Sequence, residues 1–511
     1  MSSASVATEP ASRSVGDSFA IGVLVMLVVS VLQRCVGLIR GLGFCHFLSD
    51  VELGQWALAN SFFTIAVPIA VLGLPGSFGK FVEYFRRRGQ LGIYVGRVGA
   101  VSAVGLCAVC LVIFMYPGSF SWFIFGEEKA LSLVAACVLT LACVTLFSFV
   151  SELVTGLRQV RAVSAMQFTQ SLGFAVLGLV GLALYRSWFV LLPCFAIASL
   201  IGLVPGLLAI SQHHGDEFSR PKASRLLAAS ELWQRILPFA AMLWGINLLS
   251  NLFEVSDRYM LLHLISGGET VGQAAVGQYH CGRILPNLLT SVAMTLGSIM
   301  LPYLSADWEA QQHHKVTARL RQVLQSASIA FLGLSIAAMV VSPWLFAIAF
   351  GARYDAAAAI LPISLLQASW VGLFLIAQSY LLCAERGRTL VVLLFVGLLL
   401  NFALNWWLIL QYGLSGAVVA TTLAGMVSLL LLFWQMGKLG CNLPRGTLVL
   451  CMSLAVVPAG PIVASVAFAI LVVLAGRTEW LLSANDRAEI DAMLIPKLNR
   501  FGVAIDSVWP R

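Results

Sequence analysis

The chain has 511 residues, 59% of them hydrophobic and only 11% charged, with a mean hydropathy of +0.92. Soluble chains average about 45–50% apolar and about 25% charged, so a soluble domain is excluded and the composition is that of a polytopic membrane protein. The formal charge of +8 does not point to nucleic acid, because the basic residues sit in short loops beside apolar runs and not in one patch.

Residues 1–16 are a Ser/Ala-rich polar tail without periodicity, expected to be disordered. The first apolar run begins near Phe19 and no small-residue cleavage site ends it, so it reads as a retained span. Spans are predicted at roughly 18–46, 54–79, 91–115, 130–156, 163–185 and 188–210, forming an N-terminal lobe over 17–211. After a polar cytoplasmic linker, 212–232, spans at roughly 233–263, 272–304, 322–349, 357–383, 389–410 and 413–437 form a C-terminal lobe over 233–438. Residues 439–476 hold a further apolar stretch, broken by Pro458-Ala459-Gly460-Pro461, which reads as one long span or as a hairpin turning at that cluster. In the tail, 477–511, the segment 485–502 has the pattern of an amphipathic helix broken at Pro496, suited to the membrane surface or to partner proteins. The expected fold is all-α, with 12–14 transmembrane helices.

Eighteen basic residues lie in alternate connections, among them Arg86 to Arg88, Arg158, Arg161, Arg386 and Arg388, against three in the opposite set, Lys129, Arg186 and Arg353. This bias places the N-terminus and the basic loops in the cytoplasm. The eleven cysteines fall mostly in apolar runs, and Cys107 and Cys110 form a lone C-x-x-C without a second pair, so neither a metal nor a cofactor is expected. His213-His214 and His313-His314 sit in polar loops. No paired-carboxylate loop, H-E-x-x-H or Gly-rich phosphate loop is present, which argues against an enzyme.

The halves echo each other. LGQWALAN (53–60) opens span 2 and VGQYHCGR (276–283) opens the main part of span 8, an offset of 223. Basic loops and tight basic turns, LRQVR (157–161) and ERGR (385–388), follow at matching places. Both members of each pair lie on one membrane side, so the repeat is parallel, about an axis along the membrane normal. Two pseudo-symmetric six-helix lobes around a central cavity follow from it.

Charges inside apolar spans are functional candidates by default. Span 1 carries Arg34 and Arg40, span 3 Arg97, span 7 Glu254, Asp257 and Arg258, and span 8 Arg283. Arg97 lies close enough to a span end to snorkel. Glu254 and Arg258 are spaced to neutralise each other on one helix face. Arg40 lies at the outer interface, or stays inside if Gly37, Gly41 and Gly43 bend span 1. About eleven residues into its span, Arg283 is ~16 Å deep at the helical rise and should face a polar cavity. The offset maps Arg34 onto Asp257, so the two would face each other as an ion pair or a gate. Asn247, Asn251, Asn287, Asn401 and Asn405 either line a route or join helices. Arginines around one cavity favour an anionic substrate, since guanidinium groups grip phosphate bidentately. Glu254 and Asp257 are then the candidate proton or cation sites, or a gate.

RCVGLIR (34–40), LSDVELGQWALANS (48–61), DRYML (257–261), VGQY (276–279), AERGR (384–388) and YGLSGAVVATTLA (412–424) occur in an order and spacing that resemble the polysaccharide-exporter branch of the MATE-like (multidrug/oligosaccharidyl-lipid/polysaccharide) flippase superfamily. The resemblance implies two lobes around a cationic cavity, in the cell inner membrane. It also implies a lipid-linked oligosaccharide with a pyrophosphate head group, carried from the cytoplasmic to the outer leaflet for surface polysaccharide or lipopolysaccharide. Membrane lipids, proton or sodium coupling and polysaccharide-assembly proteins are the implied partners. Related lipid II flippases carry two arginines six apart on the first helix, and Arg34 and Arg40 match that spacing, which keeps lipid II open as cargo. Drug exporters of the superfamily often carry an acid within the first helix, whereas span 1 here has only Asp17 at its start, which weighs against a cation-coupled drug or metabolite antiporter. On this reading Arg34, Arg40, Arg258 and Arg283 hold the phosphates while rocking of the lobes opens the cavity outward.

Overall fold

The computed structural model describes residues 31–219 and 229–478, with Leu481 and Arg487. The expectations for residues 1–16 and for the amphipathic segment at 485–502 therefore lie outside the described residues, Arg487 excepted. Among the described residues all regular structure is helical, and ten helices are long and apolar enough to cross a membrane.

In chain order the helices are α1 (31–47), α2 (Asp50–Ala70), α3 (Phe78–Arg87), α4 (Leu91–Met115), α5 (Pro117–Phe125), α6 (Leu131–Gly156), α7 (Val160–Tyr185) and α8 (Leu191–Ser219). The second half holds α9 (Ala229–Leu264), α10 (Glu269–Gly282), α11 (Ile284–Glu309), α12 (His313–Phe350), α13 (Asp355–Cys383), α14 (Gly387–Lys438), α15 (Arg445–Ser453) and α16 (Pro461–Arg477). At the start of α2 the Ser49 hydroxyl accepts from the Glu52 N–H, and the Glu52 carboxylate accepts from the Ser49 N–H. This reciprocal cap satisfies two otherwise orphaned donors where the chain reverses.

Glycine sets two of the turns. Inside α14, Gly413 has φ 54° and ψ −128°, a backbone that side chains with a Cβ rarely adopt. The chain folds back there so tightly that a Cβ on Gly416 would lie 2.1 Å from the Leu408 carbonyl oxygen, so α14 is two antiparallel helices. Gly460, at φ 96°, turns the 439–476 stretch, and Leu450 from its start packs beside Ala475 from its end. That stretch is a hairpin. The expected continuous span at 272–304 is instead two helices, α10 and α11, parted at Arg283. α1 is helical through 47 across Gly37, Gly41 and Gly43, and Gly41 and Gly43 lie against Ile284 and Leu179.

The tightest contact joins α2 to α10. A Cβ on Gly54 would sit 1.8 Å from the Gln273 carbonyl oxygen, and one on Gly277 would sit 1.9 Å from the Asp50 carbonyl oxygen. The pairs 54/277 and 50/273 exchange under the 223-residue offset, so the contact is reciprocal. Polar groups reinforce it. The Gln55 Nε2 donates to Gln273 Oε1 at 2.8 Å, and Gln273 Nε2 donates to the Phe125 carbonyl at 2.7 Å and to Glu127 Oε1 at 2.9 Å. Lys129 pairs with Glu127 at 2.5 Å. Burial works against the Glu127 charge, but the bonds from Gln273 and Lys129 hold its carboxyl below the ordinary carboxylate value.

Around this crossing a single apolar cluster gathers residues of both halves, from Trp56, Phe125 and Leu191 to Leu262, Val276, Ala357 and Val418. Toward the opposite end, which carries Arg86 to Arg88, the core divides. One cluster packs Phe78, Phe85 and Tyr94 with Leu232 and Ile236 of α9, and another belongs to α11–α16. The α2–α10 end is therefore tightly closed, while toward the basic end the core of the described residues falls into separate clusters.

Replacing Gly54 or Gly277 by Val should lower thermal stability in detergent by about 1–3 kcal/mol, because the opposing backbone must move. Gly79→Ala, which meets nothing within 4 Å, serves as the unchanged control. The Glu127 tie is fully present above the ordinary carboxylate range and is lost as pH falls through its lowered value. Melting of Glu127→Gln should accordingly show a flatter acid dependence than the unaltered chain.

Candidate functional site

A cavity of about 380 Å³ lies between α1, α2, α7, α8, α10 and α11, its lining including Arg34, Arg40, Asn60, Gln170, His280 and Asn287. One wall is aromatic: Phe44, Trp56, Phe174 and Phe195 pack edge-to-face or tilted against one another. Arg40 lays its guanidinium over Phe174, 5.0 Å from the ring centroid. That stacking orients the group without neutralising it. Arg34 and Arg40 of α1 both line the cavity, so the outer-interface position open to Arg40 is not the one it takes. A larger groove, about 730 Å³ between α2, α4, α5, α9 and α14, is lined almost wholly by apolar side chains, so the charges gather in the smaller space.

Behind α10 lies a buried polar network. Asp257, on α9, is completely enclosed. Its carboxylate accepts from the Tyr279 hydroxyl at 2.5 Å, from Asn405 Nδ2 at 2.8 Å and from Asn401 Nδ2 at 3.4 Å. Asn401 also donates to Thr421 at 2.9 Å and accepts from Ser256 at 2.9 Å. Arg283 donates to the Tyr279 hydroxyl at 2.7 Å; it sits at the α10–α11 break, where its side chain reaches back one turn to Tyr279. Arg258 crosses to α2 and donates to the Ser61 hydroxyl at 2.6 Å. The Nε atoms of both Arg258 and Arg283 are buried without a hydrogen-bond partner, as is Nδ1 of His280. Neutral donors thus carry much of the load of a buried carboxylate, the condition under which a charge persists in low dielectric.

The arrangement revises three expectations. Arg34 and Asp257 do not meet: Arg34 is exposed at the cavity while Asp257 is closed in by Tyr279, Asn401 and Asn405. Glu254 and Arg258 form no ion pair, because Arg258 turns to Ser61 and Glu254 is exposed on the α9 face that also carries Asn251. Arg258 and Arg283 do not line the cavity with Arg34 and Arg40. Arg40 and His280 share the cavity lining. Of the asparagines, Asn287 lines the cavity, Asn401 and Asn405 hold Asp257, and Asn251 donates to the Thr64 carbonyl across to α2 at 3.1 Å.

Sequence reading passed over Tyr279, His280 and Ser61. Tyr279 stands one helical turn before Arg283 within VGQYHCGR, and a hydroxyl at that spacing from an intramembrane arginine was the signal available.

The family model described as "Polysaccharide biosynthesis protein" matches residues 19–308. No curated protein sequence matches the chain. Among solved structures, the lipid II flippase MurJ in an inward closed conformation is similar at a TM-score of 0.65 and 14% identity, covering 88% of this chain and 98% of that one. A multidrug resistance MATE family transporter of the MOP superfamily, inward-facing, is similar at 0.60 and 13%, covering 82% and 98%. A mutant of the Vibrio cholerae MATE transporter VcmN follows at 0.57 and 12%, also covering 82% and 98%. At these identities the likeness is one of fold.

Removing the hydroxyl that joins Asp257 to Arg283 leaves both groups short of a partner. Tyr279→Phe should destabilise the chain by about 1–3 kcal/mol in thermal unfolding. Combined with Asp257→Asn, the loss should be smaller than the sum of the single losses.

Proposed function

This chain belongs to the polysaccharide biosynthesis protein family, and from that membership we propose that it is a flippase moving a polyprenyl-pyrophosphate-linked oligosaccharide across the cell inner membrane. The observation that carries the reading is the pair Arg34 and Arg40, directed into a cavity between the lobes and given no carboxylate partner there. Two such guanidinium groups in a space screened from water attract a pyrophosphate strongly and a cationic drug not at all.

The mechanism follows from the sealed and parted ends. With the basic end in the cytoplasm, the pyrophosphate and its sugars enter from the inner leaflet while the polyprenyl chain stays in lipid. Arg34 and Arg40 take the phosphates, and Asn60, Gln170 and Asn287 offer amide groups to sugar hydroxyls. Arg258 and Arg283, held back by Ser61 and Tyr279, add positive potential from behind α10. Opening outward requires parting of the Gly54–Gly277 contact and of the Gln55–Gln273 bond that seals it. Asp257 is placed to couple the cycle to a proton or sodium ion, since a change at its carboxylate alters the Tyr279 bond and hence Arg283. Glu254, exposed on the same helix, is the second candidate. Lipid II is an alternative cargo with the same pyrophosphate chemistry, favoured by the likeness to the MurJ fold.

Deleting the gene should strand lipid-linked glycan in the inner leaflet, as read by leaflet-resolved labelling of extracted lipids. The wild-type chain should restore export, while Arg34→Ala or Arg40→Ala should weaken head-group binding about 10- to 100-fold. A normal distribution in the deletion strain rejects the flippase. Translocation in proteoliposomes should respond to an imposed proton or sodium gradient and lose that response in Asp257→Asn; indifference to both gradients removes the coupling role.

A further inference from the structure

We propose that the seam between α3 and α9 at the basic end is a binding site for a phosphate group at the membrane surface, presented by Lys80, Arg88 and Arg235 around Tyr84. The site is separate from the central cavity, and the proposal stands whether or not the chain is a flippase.

Helix α3, FGKFVEYFRR, buries Phe78, Phe81, Val82 and Phe85 and turns its charged side outward. Such a short amphipathic helix suits the interface between lipid and water. Its one acid is already taken. Glu83 accepts from Arg86 Nε at 2.8 Å and from Arg87 Nε at 2.9 Å, and these bonds, Arg86 first, hold its carboxyl at about 2. That leaves three cations without a carboxylate among the described residues. The Arg88 guanidinium carbon lies 4.1 Å from the Tyr84 ring centroid, and that of Arg235 lies 3.8 Å from it. Arg235 also donates to the Tyr84 hydroxyl at 2.5 Å. Both guanidinium groups therefore lie against the Tyr84 ring. Lys80 completes the group, its ammonium 4.6 Å from the Phe239 centroid on α9.

Stacking on an aromatic face holds a guanidinium plane still and leaves its in-plane N–H groups free. The N–H groups not engaged with Tyr84 match phosphate oxygens, and the Lys80 ammonium, one helical turn before Tyr84 on α3, adds a third positive charge. A phosphate satisfies this set in a way that water does not. It comes either from the head group of an anionic lipid of that leaflet or from soluble phosphate. Because α3 belongs to the first half and α9 to the second, an anion bridging them would add to the apolar packing that already joins the halves at this seam.

The test is native mass spectrometry of the full chain purified in detergent, titrated with phosphatidylglycerol, phosphatidylcholine or inorganic phosphate. Phosphatidylglycerol retention above that of phosphatidylcholine is expected, falling about 30-fold in Arg88→Gln/Arg235→Gln, at roughly a factor of five for each cation. The charge-keeping Arg88→Lys/Arg235→Lys should also lose most of the preference, since lysine neither stacks as a plane nor forks. Displacement of the lipid by inorganic phosphate identifies a soluble source for the same site, and resistance to displacement identifies the lipid. Full retention in the lysine variant, with melting unchanged, overturns the proposal in favour of diffuse surface charge, as does a glutamine variant that binds like the unaltered chain.

Discussion

The contact of Gly54 with Gly277 is a backbone contact, and the rest of the architecture depends on it. Two helices approach until each glycine lies against the carbonyl of the other helix, a distance no side chain allows. Because the contact is reciprocal under the repeat, it places the halves about a common axis and draws their ends into one apolar cluster. Closing one end this tightly leaves the opposite ends of the helices to diverge, and the space between them becomes the cavity. Gln55, Gln273 and Glu127 then seal the crossing with bonds that water at the surface can replace.

Hydrocarbon imposes the second constraint, since every polar group inside the bundle must find a partner within the protein. The chain meets it in two ways. Asp257 is surrounded by donors from two other helical segments, and Arg283 is attached through Tyr279 rather than directly. Arg34 and Arg40, in contrast, are left to the cavity, one exposed and one resting on Phe174. The first arrangement stores charge in a fixed place; the second leaves charge available to something that enters. Helix α9 links the two arrangements, its first turns packed on α3 and α4 and its later turns carrying Asp257 and Arg258.

Much of this was open to reading before any coordinates. Span positions follow from apolar length, which the bilayer dictates, and the repeat was visible because Gly-Gln-aromatic recurs at one offset. The intramembrane arginines stood out because their cost in lipid makes them rare. What escaped was pairing. The i, i+4 spacing of Glu254 and Arg258 suggested an ion pair, yet Ser61, nearly two hundred residues away in sequence, takes Arg258. The break at Arg283 also escaped, although Gly282 and Pro286 flank it and Pro286 cannot donate to the carbonyl four residues back.

Sequence by itself determined that the chain is a helical membrane protein, that it repeats, that most positive charge faces one side, and which charges lie at membrane depth. These properties are local or periodic, and transfer energies and helical geometry act on them one segment at a time. Only the tertiary structure decided which end is sealed, which arginines reach the cavity and which carboxylate is enclosed. Those outcomes depend on which helices touch, and in an apolar sequence nearly every helix face is equally fit to pack. The choice falls to a few glycines and polar side chains whose partners are remote along the chain.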